Sequence, residues 1–210
     1  TPEQLAIIRR WLGTIMQIAI EEMVHYALAC NLLTSVGAAP HLHRPNMPSS
    51  PQAYPPSFKL GLAPFCRDTL EAFVFVERPQ EEAPSTGDVP LGSAFLPQNK
   101  LSDIFSSERQ YQTVGALYKG IQDGFRYLSQ KFGEEQLFIG PPEAQVADAY
   151  FNLPGLIPVT NLESAIAAIE GIVEQGEGAQ GDNEDSHHGR FKAMLDEYDQ
   201  ILKDDPNFEP

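Results

Sequence analysis

The sequence predicts an all-α protein, a helical bundle with long proline-rich connecting loops. Two observations carry this. Apolar residues recur at alternating steps of three and four along several segments, each bounded by capping and stop signals. Between these segments lie stretches rich in proline and without helical period, longer than ordinary connections. The 210 residues, 42% of them apolar, suffice for one sizeable core, so the chain reads as a single domain over 1–210.

The first helix is expected over residues 2–36. Thr1-Pro2-Glu3-Gln4 resembles a capped start with proline in the first turn, and Gly37 and Pro40 are stop signals. Ile8, Trp11, Ile15, Ile18, Ala29, Leu32 and Val36 form its core stripe. Residues 37–65 read as an extended surface loop, in which His41 and His43 have no cysteine or acidic companion and read as loop residues. A short helix over 67–77 is closed by Pro79, and 78–108 is again loop-like. A third helix over 110–132 carries Val114, Leu117, Ile121, Phe125 and Leu128 on one side. Its other side carries Ala116, Gly120 and Gly124, small residues expected to admit a second backbone closely. After an irregular connection over 133–159, Thr160-Asn161-Leu162-Glu163 fits a capping box. The fourth helix that follows has Leu162, Ile166, Ile169 and Val173 on one face and ends near 176–178. The last helix starts at 184 or 187 and runs to 202, with Phe191, Met194, Tyr198 and Ile201 inward. No internal repeat is evident.

Charge excludes some partners. The chain has 14 Lys+Arg against 29 Asp+Glu, a formal charge of −15, which repels nucleic-acid phosphates and anionic membrane surfaces. The two cysteines, Cys30 and Cys66, neither build a disulfide scaffold nor have zinc-finger spacing, so a reducing, cytoplasmic setting is expected. The sequence shows no signal-peptide pattern and no run of 18 apolar residues, so no membrane span is expected.

The chemistry lies where the apolar stripes are interrupted. On the first helix the stripe continues through Glu22 and His25, three apart and therefore one turn apart on one face. Burying a carboxylate and an imidazole costs several kcal/mol unless they pair or bind a metal. Glu-x-x-His directed into a bundle is the ligand pattern of carboxylate-bridged di-metal proteins. A buried Glu–His ion pair is the plainer alternative, and because Glu21 adjoins Glu22, one of the two acids is expected to face elsewhere. The last helix repeats the pattern: its stripe extends backward to His187 and Glu184, another Glu-x-x-His. Glu177 continues the face of Ile166, Ile169 and Val173 toward the same interior. His188 reads as a supporting or surface histidine, and Cys30 as a small buried hydrophobe. No phosphate-binding glycine loop, Ser–His–Asp context or EF-hand pattern is present.

These residues carry a family resemblance. Glu21-Glu22-Met23-Val24-His25 and the run from Ala27 to Leu33 resemble the ferritin-like domain of iminophenyl-pyruvate dimer synthases, the violacein and rebeccamycin type. Further blocks match in order: Phe73 to Pro79, Thr113 to Tyr118, Ile172 to Gly178, and Ser186-His187-His188-Gly189-Arg190-Phe191. The resemblance implies a ferritin-like bundle with a metal between helices, and ligands at Glu22, His25, Glu177 and His187. Glu184 stays an alternative to Glu177. Family chains usually begin with another helix bearing a ligand glutamate, which this chain lacks at the expected place. The third helix has Ala116 and Lys119 where acids often stand, and Asp123 is a poor substitute. The site is therefore expected to hold one iron, two, or none.

Three readings follow. In the first, iron at Glu22, His25, Glu177 and His187 serves an enzyme acting on a small organic substrate, by oxidative or imine-coupling chemistry in secondary metabolism. In the second, a metal-free enzyme or binding protein uses the same Glu/His pocket for acid–base or ligand contacts. In the third, the Ala116, Gly120 and Gly124 face packs against another subunit in a homo-oligomer.

Overall fold

One long helix organises the molecule. The computed structural model describes residues 1–42, 62–79, 113–147, 151, 153–176 and 184–210. Helix α1 (Pro2–Ser35) opens as expected: the Thr1 hydroxyl accepts from the Gln4 backbone N–H at 3.2 Å, and the N-terminal amine donates to the Gln4 side chain at 2.6 Å. It ends where Gly37 adopts φ +78°, a left-handed turn that glycine takes without strain. Then follow α2 (Arg67–Val76), α3 (Val114–Phe132), α4 (Glu134–Leu137), a 3-10 turn (Pro142–Ala144), α5 (Leu162–Gly176) and α6 (His187–Asp204). Among the described residues there is no strand. The expected loop residue His43 and the expected start of α3 at 110 lie outside the described residues.

The helices bury two separate apolar clusters, both against α1. The C-terminal half of α1, through Val24, Leu28 and Leu32, packs with Phe125 of α3, with Ala165, Ala168, Ile169 and Ile172 of α5, and with Leu156 and Val159. The N-terminal half, through Trp11 and Ile18, packs with Leu70 of α2, with Phe191, Met194 and Tyr198 of α6, and with Phe208. Trp11 stacks on Tyr198 with centroids 5.6 Å apart, and its indole N–H donates to Glu197 at 2.7 Å. Helix α2 is tied to α6 by a two-pronged Arg67–Asp199 pair at 2.6 and 3.1 Å and by Phe73 against Phe191.

Three local expectations need correction. The cap of α5 is one residue later than the Thr160–Glu163 box. Asn161 accepts from the Ser164 N–H at 2.8 Å, and the Ser164 hydroxyl accepts from the Asn161 N–H at 3.1 Å. The Asn161 amide thus does the work expected of the Thr160 hydroxyl, and the Ser164 hydroxyl that of the Glu163 carboxylate, because Asn161 directly precedes the first helical turn. With the helix set by that cap, Ala165, Ala168, Ile169, Ile172 and Gly176 face the core, while Ile166 and Val173 are half-buried. At Gly124, on the small-residue side of α3, no second backbone approaches: a Cβ there would meet nothing within 4 Å. The close approach is at Gly140 instead, where a Cβ would fall 1.6 Å from the Thr34 carbonyl oxygen. Gly140 donates its N–H to Ser35 at 3.0 Å, which seals the end of α1.

In the connection over 133–159, expected to be irregular, α4 occupies 134–137, and residues 141–147 and 153–159 are held by amide side chains, one of them from α1. Asn31 donates to the carbonyls of Val146 (2.9 Å) and Ile157 (3.0 Å) and accepts from the Val146 N–H at 2.8 Å. Gln145 exchanges two bonds with Val159, at 2.6 and 2.7 Å. Each amide thus stands in for a missing strand partner deep in the protein. Replacing Asn31→Leu removes three bonds and strands the buried backbone groups. The expected loss is about 2–4 kcal/mol of unfolding free energy, measured by urea denaturation.

Candidate metal centre

Between the two apolar clusters, α1 carries a polar layer. Glu21, Glu22 and His25 occupy one turn of the helix, with Ile18 of one cluster before them and Leu28 of the other after. Three other elements deliver groups to this layer. Helix α6 begins at His187, because the Ser186 hydroxyl caps it by accepting from the Gly189 N–H at 3.0 Å. That start presents the His187 imidazole, with 0% of its side chain exposed, to α1. The end of α5 brings Gln175, and the end of α2 brings Glu77.

The two imidazoles lie 5.3 Å apart, inclined by 30°. Each has its Nε2 committed to an oxygen: His25 Nε2 donates to Gln175 Oε1 at 2.8 Å, and His187 Nε2 donates to Glu21 Oε2 at 3.0 Å. Since those oxygens can only accept, the Nε2 atoms carry the protons. The two Nδ1 atoms then face a single carboxylate oxygen, Glu22 Oε1, at 3.2 Å from His25 and 2.8 Å from His187. The oxygen lies out of line for a hydrogen bond with His187, so this buried Nδ1 has no hydrogen-bond partner. Ligand atoms of Glu22, His25 and His187 fall within 4.8 Å of one another. Around a metal with bonds of about 2.1 Å, neighbouring ligand atoms stand about 3.0–3.4 Å apart. The donor set fits a borderline divalent metal such as iron, with the Nε2 partners orienting each ring from behind.

A helical bundle of this connectivity, with a Glu/His cluster between its helices, invites comparison with known proteins. A family model described as Ferritin-like matches residues 6–196. The chain belongs to the ferritin-like family. Among curated relatives, this ferritin-like chain is 26% identical over 196 residues to the dichlorochromopyrrolate synthase of Lentzea aerocolonigenes, covering 88% of the chain and 18% of that protein. It is 26% identical over 200 residues to the 2-imino-3-(indol-3-yl)propanoate dimerase of Chromobacterium violaceum, covering 94% of the chain and again 18% of the relative. The chain therefore spans less than a fifth of the length of either. No solved structure matches it.

The ferritin-like layer is electrostatically coupled. Burial pushes the Glu22 carboxyl up, but its contacts with His187 and His25 outweigh this and bring it from 4.5 to about 2. Burial pushes His25 down, yet Glu22 and Gln175 outweigh that and raise it. Burial also opposes ionisation of Glu21, which Arg190, its ion-pair partner, overcomes. Glu22 remains 48% exposed. It borders an open, mainly apolar cavity of about 620 Å³, lined by Met23, Tyr26, Cys30, Phe151 and Leu153 among others. Among the described residues no helix is long and apolar enough to cross a membrane.

The ferritin-like fold brings together three of the residues singled out in the sequence: Glu22, His25 and His187. Glu177 lies outside the described residues. Glu184 does not reach the cluster. Because Ser186 is extended as the cap of α6, Glu184 and His187 do not share a helical turn, and Glu184 is exposed and lines a different cavity. His188 is buried but turned away, its Nδ1 donating to the Val74 carbonyl at 3.2 Å. Asp123 pairs with Lys119 at 2.6 Å, one turn apart on α3, rather than entering the layer. The expectation that one of the adjacent acids would face elsewhere is also corrected. Glu21 and Glu22 straddle the His187 ring, one at each nitrogen. Glu77, Gln175 and Arg190 were not singled out as site residues. They sit at helix ends or on off-stripe positions, and only their place in the matching sequence blocks hinted at them.

In the metal-free protein these shifts set a pH profile. Glu22 lies below its unfolded value, so its contribution is present above about pH 4.5 and lost as pH falls toward 2. His25 lies above its unfolded value of 6.5, so its contribution is full below that pH and lost as pH rises through the raised value. Glu22→Gln is expected to flatten both limbs of stability against pH, measured by urea unfolding of metal-free protein.

Proposed function

We propose that the chain is the metal-binding catalytic unit of an enzyme acting on a small organic substrate in secondary metabolism, with iron held by Glu22, His25 and His187. One observation carries this reading. Both Nδ1 atoms converge on Glu22 Oε1, while both Nε2 protons are already engaged. A positive charge belongs between such nitrogens and a carboxylate: a proton in the His25–Glu22 pair of the metal-free protein, or a metal ion that replaces it. The relatives, named for a dimerase of an imino acid and a synthase, support oxidative or imine-coupling chemistry on a small molecule.

The protein's own groups do the rest. Gln175 and Glu21 hold the two rings in the ligating tautomer, and Arg190 keeps Glu21 ionised and in place. The two apolar clusters above and below the layer exclude water from its inner side. On the outer side, the apolar cavity along Met23, Tyr26 and Phe151 leads a substrate to the exposed flank of Glu22. The bound metal would supply Lewis-acid or one-electron chemistry beside that flank.

Anaerobic titration with Fe(II), followed by elemental analysis, tests the reading. Wild type is expected to bind about one metal per chain, and His25→Ala and His187→Ala to lose it, with urea unfolding of each variant showing that it folds. Affinity should rise with pH across the histidine range, because each ligand must give up a proton. Folded wild-type protein that binds no iron would instead point to the metal-free alternative, in which Glu22 and the histidines act as acid–base or ligand-contacting groups.

A further inference from the structure

We propose that two copies of this chain pair antiparallel through the outer face of α1, with a twofold axis at Ala19. The pairing goes beyond the metal reading and does not depend on it.

Helix α1 is apolar on two sides. Its inner side feeds the two clusters. Its outer side carries Leu5, Leu12, Met16, Met23, Tyr26 and Leu33, each between 46% and 59% exposed. These fall in two rows. Leu5, Leu12, Ala19, Tyr26 and Leu33 follow one another at steps of seven, and Met16 and Met23 stand four residues after Leu12 and Ala19. Rows of period seven, offset by four, form the seam of a helix that packs along another helix. From Leu5 to Leu33 the stripe runs about 42 Å, at about 1.5 Å per residue. Arg9 is the one charged residue in the two rows, although the chain carries a formal charge of −15. Such depletion of charge marks the centre of an interface.

The occupant is a second copy because the pattern reads the same in both directions. About a midpoint at Ala19, Leu5 mirrors Leu33, Leu12 mirrors Tyr26, and Met16 mirrors Met23. Each of these residues therefore meets an apolar side chain when a second α1 lies antiparallel on the first, as a closed twofold interface requires. Ala19 is exposed and small, and it falls on the axis, where the two helices come closest. The area also suffices. With Ile20, which is exposed beside the rows, half-exposed side chains of roughly 200 Å² each give about 700 Å² of apolar surface per copy. That exceeds the largest apolar patch of an ordinary monomer, about 300–600 Å², and approaches the roughly 800 Å² per partner of a stable complex. Met23 and Tyr26 also line the cavity beside Glu22. The pairing sets the partner's Met16 and the partner's Leu12 across from them, so a second copy walls the open side of that cavity.

The test is sedimentation velocity of the full chain across the micromolar range, with thermal melting as a folding control. The proteins compared are wild type, Met16→Glu, Met23→Lys and the double variant carrying both substitutions. Wild type is expected to sediment as a dimer. Each single variant is expected to weaken the dimer about tenfold or more, because it buries a charge against a methionine. The double variant is expected to recover it, because antiparallel pairing sets the introduced carboxylate of each copy against the introduced amine of the other. Parallel pairing sets like charges together instead, and the two positions lie two turns apart on their own helix, too far to pair within one chain. A wild-type monomer throughout overturns the inference and leaves the face to another occupant. A dimer that both single variants leave intact places the interface elsewhere and overturns it too, as does a double variant that stays monomeric. Leu12→Glu with Tyr26→Lys repeats the test at an independent contact, and decides the matter should Met16→Glu not fold.

Discussion

His187 is the constraint on which the rest of the structure depends. It is an imidazole with no exposed surface, set between acids on α1 and α2. A group of this kind tolerates burial only if both nitrogens are provided for. One is satisfied by Glu21, which Arg190 holds from the next turn of α6. The other is left facing carboxylate oxygen without a hydrogen bond. Ser186 fixes where α6 starts, and so fixes the imidazole in the layer rather than beside it.

The two-cluster core follows from this. A single continuous apolar core along α1 would have no place for three acids and two histidines. Instead α1 contributes Trp11 and Ile18 to one cluster, Val24, Leu28 and Leu32 to the other, and its polar turn to the seam between. Helices α2 and α6 pack chiefly with each other, as do α3 and α5, and α1 spans both pairs. Every group in the seam is therefore anchored to an element that owns apolar packing of its own.

Function on such a scaffold lies in the site and not in the fold. Glu22 joins the two faces of the seam: it meets the buried histidines on one side and an open apolar cavity on the other. A carboxylate in that position can hold a cation inward and receive a small molecule from outside. The acids that the third helix lacks at Ala116 and Lys119 are not replaced there, since Asp123 is drawn into ion pairs with Lys119 and Arg126.

The sequence by itself determined the five longer helices and the Glu22/His25 turn. Both are local matters: spacing of apolar residues, a cap at Thr1, a stop at Gly37, and two polar residues one turn apart on a buried stripe. His187 was legible for the same reason, as the backward extension of the Phe191, Met194 and Tyr198 stripe. What surrounds these residues was decided only by tertiary structure. Glu184 keeps the spacing of a helical pair but loses its geometry, because the cap at Ser186 begins the helix after it. Glu21 looked destined for another face until a ring from α6 settled between it and Glu22. Glu77 and Gln175 stand about 50 and 150 residues from His25, at helix ends where periodicity carries no signal. They reach the layer because α2 packs on α6 and α5 packs on α1, which are contacts between elements that no local pattern encodes.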